Sequence, residues 1–228
     1  MNGFSNATES ELDAKDTNAG ANQAAPVRHS RLARLTAGAI VGITCSVMYQ
    51  LLQQFPAHTA HLRTDCWSWQ QIPFSEIWLW PYLSMFAIVG CAWLALPNKH
   101  STRRFIICFL GTGLVAWICF YFWPTSCLRP PPESLSMPYR LLVLFDAPSN
   151  CLPCLHSAFA ILSAVVLYRR ISQMQHATAL RVLLIIWVTL INLSIVGLRQ
   201  HTGIDVAAGL LLGGCASWIH SSRSAGAD

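Results

Sequence analysis

Runs of about twenty apolar residues recur along this chain, and they restrict the fold more tightly than any other feature of it. A helix of that length matches the roughly 30 Å hydrocarbon core of a bilayer. In lipid the backbone must satisfy its own polar groups, which leaves helices or closed barrels. The runs fall at 35–54, 77–96, 105–123, from about 155 to Arg169-Arg170, 180–198, and from His201 or Thr202 to His220. This spacing predicts an all-α membrane protein built as a six-transmembrane-helix bundle. Composition agrees, with 54% hydrophobic and 11% charged residues and a mean hydropathy of +0.42. The net charge of +5 gives no reason to invoke nucleic acid, because the basic residues sit in short clusters beside the apolar runs.

Those clusters predict an orientation. With six spans both termini share a side, and that side collects Lys15, Arg28, Arg31, Arg34, Lys99, Arg103, Arg104, Arg169, Arg170, Arg181 and Arg223. The other side holds only Arg63, Arg129, Arg140 and Arg199. An excess of basic residues marks the cytoplasmic face, so both termini are expected in the cytoplasm. Residues 1–27 are polar and acidic without apolar periodicity, which reads as a disordered cytoplasmic tail. Residues 28–220 form the expected membrane domain and 221–228 a short cytoplasmic tail. Segment 55–75 reads as interfacial or re-entrant, and 124–153 as a long loop in which Asp146 is a solvated acid.

Four polar residues from separate stretches then converge. Arg129, His156, Arg199 and His201 all fall at the non-cytoplasmic ends of their spans, where ionisable groups usually mark a function. If a helix begins at Thr202, Asp205 lies four residues from His201 on the same face and can reach its imidazole. A carboxylate there would fix the tautomer and raise ring basicity. Arg199, two residues upstream, would hold an anion against the outward nitrogen. Such an arrangement suits phosphate chemistry.

The residues Arg129-Pro130, Pro153-Cys154-Leu155-His156-Ser157 and Arg199-Gln200-His201-x3-Asp205-Val206-x2-Gly209 resemble the three motifs of the type 2 phosphatidic acid phosphatase and haloperoxidase superfamily. The Trp123-Pro124-x4-Arg129-Pro130 run and the Arg-Gln-His start of the third motif are most similar to the inositol-phosphorylceramide and sphingomyelin synthase branch. The resemblance implies a nucleophilic His201 that forms a phosphohistidine, oriented by Asp205. It implies His156 as general acid and then base. Arg129 and Arg199, with Cys154, Ser157 and backbone amides near 155–157, would hold the phosphate. No metal and no cofactor are implied. The expected partner is a membrane-borne phospholipid, isoprenoid phosphate or sphingolipid phosphate. The expected place is a multi-pass protein of a bacterial inner membrane with its site facing the periplasm.

Three positions depart from the common pattern. Phe122 stands where a lysine is usual, Ile195 where an arginine is usual, and Cys154 where the second motif has serine. A thiol donates a weaker hydrogen bond than a hydroxyl. Alternative readings are a lipid headgroup transferase using a phosphodiester donor, a non-catalytic lipid-binding relic or transporter, and a haem bundle with His156 and His201 as axial ligands. Cys66, Cys127, Cys151 and Cys154 lie on the outer side, where disulfides are permitted, and Cys127 with Cys151 is the pairing expected. Gly209-x3-Gly213 predicts close packing of the last helix.

Overall fold

The computed structural model describes residues 31–63, 71–131, 135–146 and 148–222. The expected tail at 1–27, together with Asp65 and Cys66, lies outside the described residues. Helices dominate: α1 Arg31–Gln54, α2 Leu79–Ala95, α3 Lys99–Phe122, α4 Met137–Phe145, α5 Leu155–Ile171, α6 Ala177–Gly197 and α7 Gly203–Ser222. A 3-10 turn, Glu76–Trp78, leads into α2. The segments containing α1, α2, α3, α6 and α7 are long and apolar enough to cross a membrane. Helix α5 has 17 residues, about 25 Å at 1.5 Å per residue, the short end of what spans a bilayer.

Two boundaries differ from the sequence expectation for visible reasons. Helix α3 begins at Lys99, six residues before the apolar run, because the Asn98 side chain accepts from Ser101 N at 2.8 Å and caps the first turn. Helix α4 interrupts the loop expected at 124–153. Its signal was local, since Pro138 lies in the first helical turn, where a missing N–H costs least. Segment 55–75 also contributes regular structure: His61–Arg63 is a strand, β1, paired in parallel with β2, Thr125–Cys127.

Helix α5 is the central element. It packs against α7, α2, α6 and α3, while α1 covers α2 and α3. The α5–α7 contact is close because α7 offers glycine at the crossing. A Cβ on Gly209 would sit 2.2 Å from the Cys154 carbonyl oxygen, and one on Gly213 would sit 2.4 Å from that of Ala158. Aromatic rings fill the interior next to this seam. Phe109 and Phe159 stack at 3.8 Å between centroids, and Trp93 meets Phe105 edge-on at 5.0 Å. The outer faces carry exposed apolar residues such as Ile43, Trp80, Leu211 and Trp218. A surface of that kind suits lipid rather than water.

Candidate active site

One end of the bundle is built as a plate of short segments. Ser126 bridges to Ser149, Cys151 N donates to Thr125 O at 3.3 Å, and Leu152 N donates to Thr125 Oγ1 at 3.0 Å. Cys154 N then donates to Asp205 O at 3.0 Å, tying the start of α5 to the start of α7. Tyr139 of α4 donates to Leu198 O at 3.2 Å and anchors the turn after α6. These bonds draw segments far apart in the chain into one cluster.

His201 lies in that cluster, buried to 3% exposure. Its Nδ1 is 2.9 Å from the carbonyl oxygen of Cys151. A carbonyl only accepts, so Nδ1 carries the hydrogen and a neutral ring keeps its lone pair on Nε2. The described Nδ1 partner of His201 is therefore a backbone carbonyl. Asp205 meanwhile turns its Oδ2 to Thr202, accepting from the amide at 2.7 Å and the hydroxyl at 2.8 Å. Thr202 Oγ1 in turn accepts from Asp205 N at 3.4 Å. This is a capping box, readable in the sequence as Thr202-x-x-Asp205. Asp205 so anchors the residue next to His201 and adds negative charge near the ring.

His156 and Cys154 face His201 across the α5–α7 seam. The two imidazole centroids are 5.9 Å apart, and ligand atoms of Cys154, His156 and His201 all lie within 4.8 Å of one another. His156 Nε2 is 2.8 Å from the Tyr82 hydroxyl, which lies 3.2 Å from Asp146 Oδ2. The hydroxyl gives its one hydrogen to the carboxylate and so accepts from Nε2–H. That leaves the lone pair of a neutral His156 on Nδ1, a buried nitrogen without a partner among the described residues.

Asp146 is the feature that sequence reasoning misread as a solvated loop acid. It is 7% exposed, accepts from Tyr49 at 2.7 Å, and pairs with Arg129, whose Nη2 is 3.7 Å away and whose Nη1 donates to the Asp146 carbonyl. Burial pushes its carboxyl up, but Arg129 and the nearby histidines outweigh that and hold it below the ordinary carboxylate range. Arg129 remains charged: burial opposes this, and Asp146 overcomes it. Its Nε is buried with no partner among the described residues. Tyr82 and Tyr49 carried no sequence signal, because a tyrosine within an apolar run reads as filler.

The remaining expected residues are placed as follows. Ser157 is fully buried against Gly209, and its hydroxyl has no partner among the described residues. Arg199 is half-buried in the turn after α6 with φ 58°, a left-handed backbone that favours glycine. A non-glycine residue held there costs on the order of 1 kcal/mol or more, and such strain collects at functional sites. Cys127 and Cys151 are neighbouring free thiols rather than a disulfide. Burial pushes the Cys154 thiol up, yet His201 and His156 beside it bring it down to about 5. For His201 burial pulls down, and the Cys154 thiolate and Asp205 more than reverse this.

A cavity of about 680 Å³ opens beside the cluster. Its walls are mostly apolar, from Leu83, Phe86, Leu142 and Phe159 among others, and its polar end is made by Tyr49, Tyr82, Asp146 and His156.

Residues 122–224 match the model of the PAP2 superfamily. Over that segment the chain is similar to this superfamily. The matched segment carries all three motifs, and with them Arg129, Cys154, His156, Arg199, His201 and Asp205. The apolar helices fit a multi-pass membrane protein. No curated protein and no solved structure matched the chain.

Proposed function

We propose that this protein is an integral membrane phosphatase or phosphotransferase for lipid phosphates, acting through a phosphohistidine on His201. The observation that carries the reading is the pair of inward nitrogens. The Cys151 carbonyl leaves the lone pair of neutral His201 on Nε2, and the Tyr82–Asp146 relay leaves Nδ1 of His156 unpartnered among the described residues. One suits a nucleophile and the other a proton donor. The apolar cavity ending at His156 supports a substrate with hydrocarbon chains.

In this mechanism His201 Nε2 forms a bond to phosphorus as the bond from phosphorus to the lipid oxygen breaks. His156, doubly protonated, gives its Nδ1 proton to the departing alkoxide. It then takes a proton from water, whose oxygen attacks phosphorus and breaks the P–N bond. His201 keeps its Nδ1–H on the Cys151 carbonyl throughout. Arg129 and Arg199 would neutralise the phosphoryl oxygens, and a phosphate oxygen would satisfy the unmatched Nε–H of Arg129. The Cys154 thiolate must not face a phosphate as an anion. Transfer of the Nε2 proton from His201 to Cys154 removes that repulsion and frees the nucleophile in one step.

Six spans, with α5 as the shortest, would place both termini in the cytoplasm and the cluster at the outer face of a membrane such as a bacterial inner membrane. An acceptor alcohol in place of water would give a headgroup transferase, a variant favoured by the Arg199-Gln200-His201 start and by Phe122. The test is phosphate release from a panel of lipid phosphates by detergent-purified protein in EDTA. Release is expected in wild type and should fall by about a thousandfold or more in His201→Ala. Release that survives this substitution would refute the phosphohistidine. Release absent from every lipid phosphate but present with phosphodiester donors and an alcohol would select the transferase.

A further inference from the structure

The geometry points to a zinc-class metal site made by Cys154, His156 and His201. Cys154 and His156 project from the start of α5, and His201 from the turn before α7, so two segments close on one point. Their candidate ligand atoms lie within 4.8 Å of one another. Tetrahedral zinc, with bonds of roughly 2.0–2.3 Å, needs ligand atoms about 3.4–3.8 Å apart. Side-chain shifts of about 1 Å would close that gap.

The second observation is the state of the nitrogens. His156 Nδ1 is buried and unpartnered among the described residues, and the far nitrogen of each ring is already engaged. The Cys151 carbonyl holds Nδ1 of His201, and the Tyr82 hydroxyl, backed by Asp146, holds Nε2 of His156. Ring orientation by an outer hydrogen bond is the support that metal-binding histidines ordinarily have. Three protein ligands leave the fourth position open to water or phosphate. One thiolate with two imidazoles selects zinc, cobalt or cadmium over magnesium or calcium. Binding involves no electron transfer. The one proton held between Cys154 and His201 Nε2 goes to solvent, so that a thiolate and two nitrogen lone pairs complete the set.

The same nitrogens serve phosphoryl transfer, so an ion bound here would displace the substrate and arrest the enzyme reversibly. That consequence rests on the function proposed above; the binding itself does not. Cysteine at position 154, where the resembling motif has serine, is what makes the site specific to this chain.

The test is optical titration of the metal-stripped, full-length protein in detergent with cobalt(II), followed by zinc. We expect a thiolate-to-cobalt charge-transfer band, tetrahedral visible bands, and loss of both as one equivalent of zinc is added. Cys154→Ser should abolish the charge-transfer band and weaken zinc binding at least about a hundredfold. His156→Gln should lose the tetrahedral bands, and Cys91→Ser, at an exposed thiol on α2, should leave both intact. Circular dichroism and gel filtration confirm that each variant is folded. An absent band in wild type, or a full band in folded Cys154→Ser, overturns the site. If turnover has been found in EDTA, added zinc should abolish it and EDTA restore it. Absence of turnover leaves the cobalt readout unaffected, so the two ideas fail separately.

Discussion

At the scale of single residues, the most informative group is Cys154. It stands fully buried between two imidazoles, where a serine could donate a hydrogen bond but could not hold a charge. Its thiolate stabilises the His201 imidazolium, moving that ring up to about 10 against the opposing effect of burial. Because the folded-state value is raised, the stability that His201 contributes is complete below the ordinary histidine range and is lost as pH rises toward 10. Cys154→Ser removes the thiolate and leaves burial as the main influence. The His201 titration, followed by NMR with labelled histidine, should then move to lower pH by roughly one to three units, the range a neighbouring opposite charge imposes. The alkaline loss of thermal stability should shrink with it. An unmoved titration would mean that Cys154 is a bystander.

At the scale of elements, the site depends on how closely α7 approaches α5. Gly209 touches the Cys154 carbonyl and the Ser157 side chain, so any Cβ there must push the two helices apart. Gly209→Ala should cost about 1–3 kcal/mol of stability, the usual range for overpacking. It should also lower turnover, because Cys154 and His156 ride on α5 while His201 is fixed to α7. A Cβ on Gly214, farther along the same helix, would meet nothing within 4 Å. Gly214→Ala should therefore be neutral or stabilising by about 0.5–1 kcal/mol, since alanine favours the helix. Thermal unfolding of both variants in one detergent separates a packing effect from a propensity effect. Equal behaviour would show that the two helices have room to spare at Gly209.

At the scale of the whole molecule, polarity is divided between the two ends of the bundle. The site end gathers Arg129, Asp146, His156 and His201 around a plate of short segments. The opposite end holds Arg34 on the Leu96 carbonyl and Arg104 on that of Ile219, at 3.0 Å for the latter. Between them the exposed surface is apolar. If six helices cross the membrane, tags at both termini should resist an impermeant protease added to intact cells, while a tag inserted beside Pro131 should be cleaved. Cleavage at one terminus alone would indicate an odd number of spans.

The sequence by itself determined the helical class, the approximate positions of the long helices and the three motif segments. These properties are local: apolar run length, basic clusters and fixed spacings along a few residues. Even the Thr202–Asp205 cap lay within four consecutive residues. Only the tertiary structure decided which groups meet. The carbonyl that holds His201 belongs to Cys151, and the hydroxyl that holds His156 belongs to Tyr82, in positions 50 and 74 residues away along the chain. Asp146 becomes a buried partner of Arg129 because α4 and the plate fold over it, whereas its immediate neighbours read as an ordinary loop. Backbone carbonyls have no sequence identity to read, and a buried ion pair depends on what excludes water from it. Both are properties of packing between distant segments, so no window of the chain contains them.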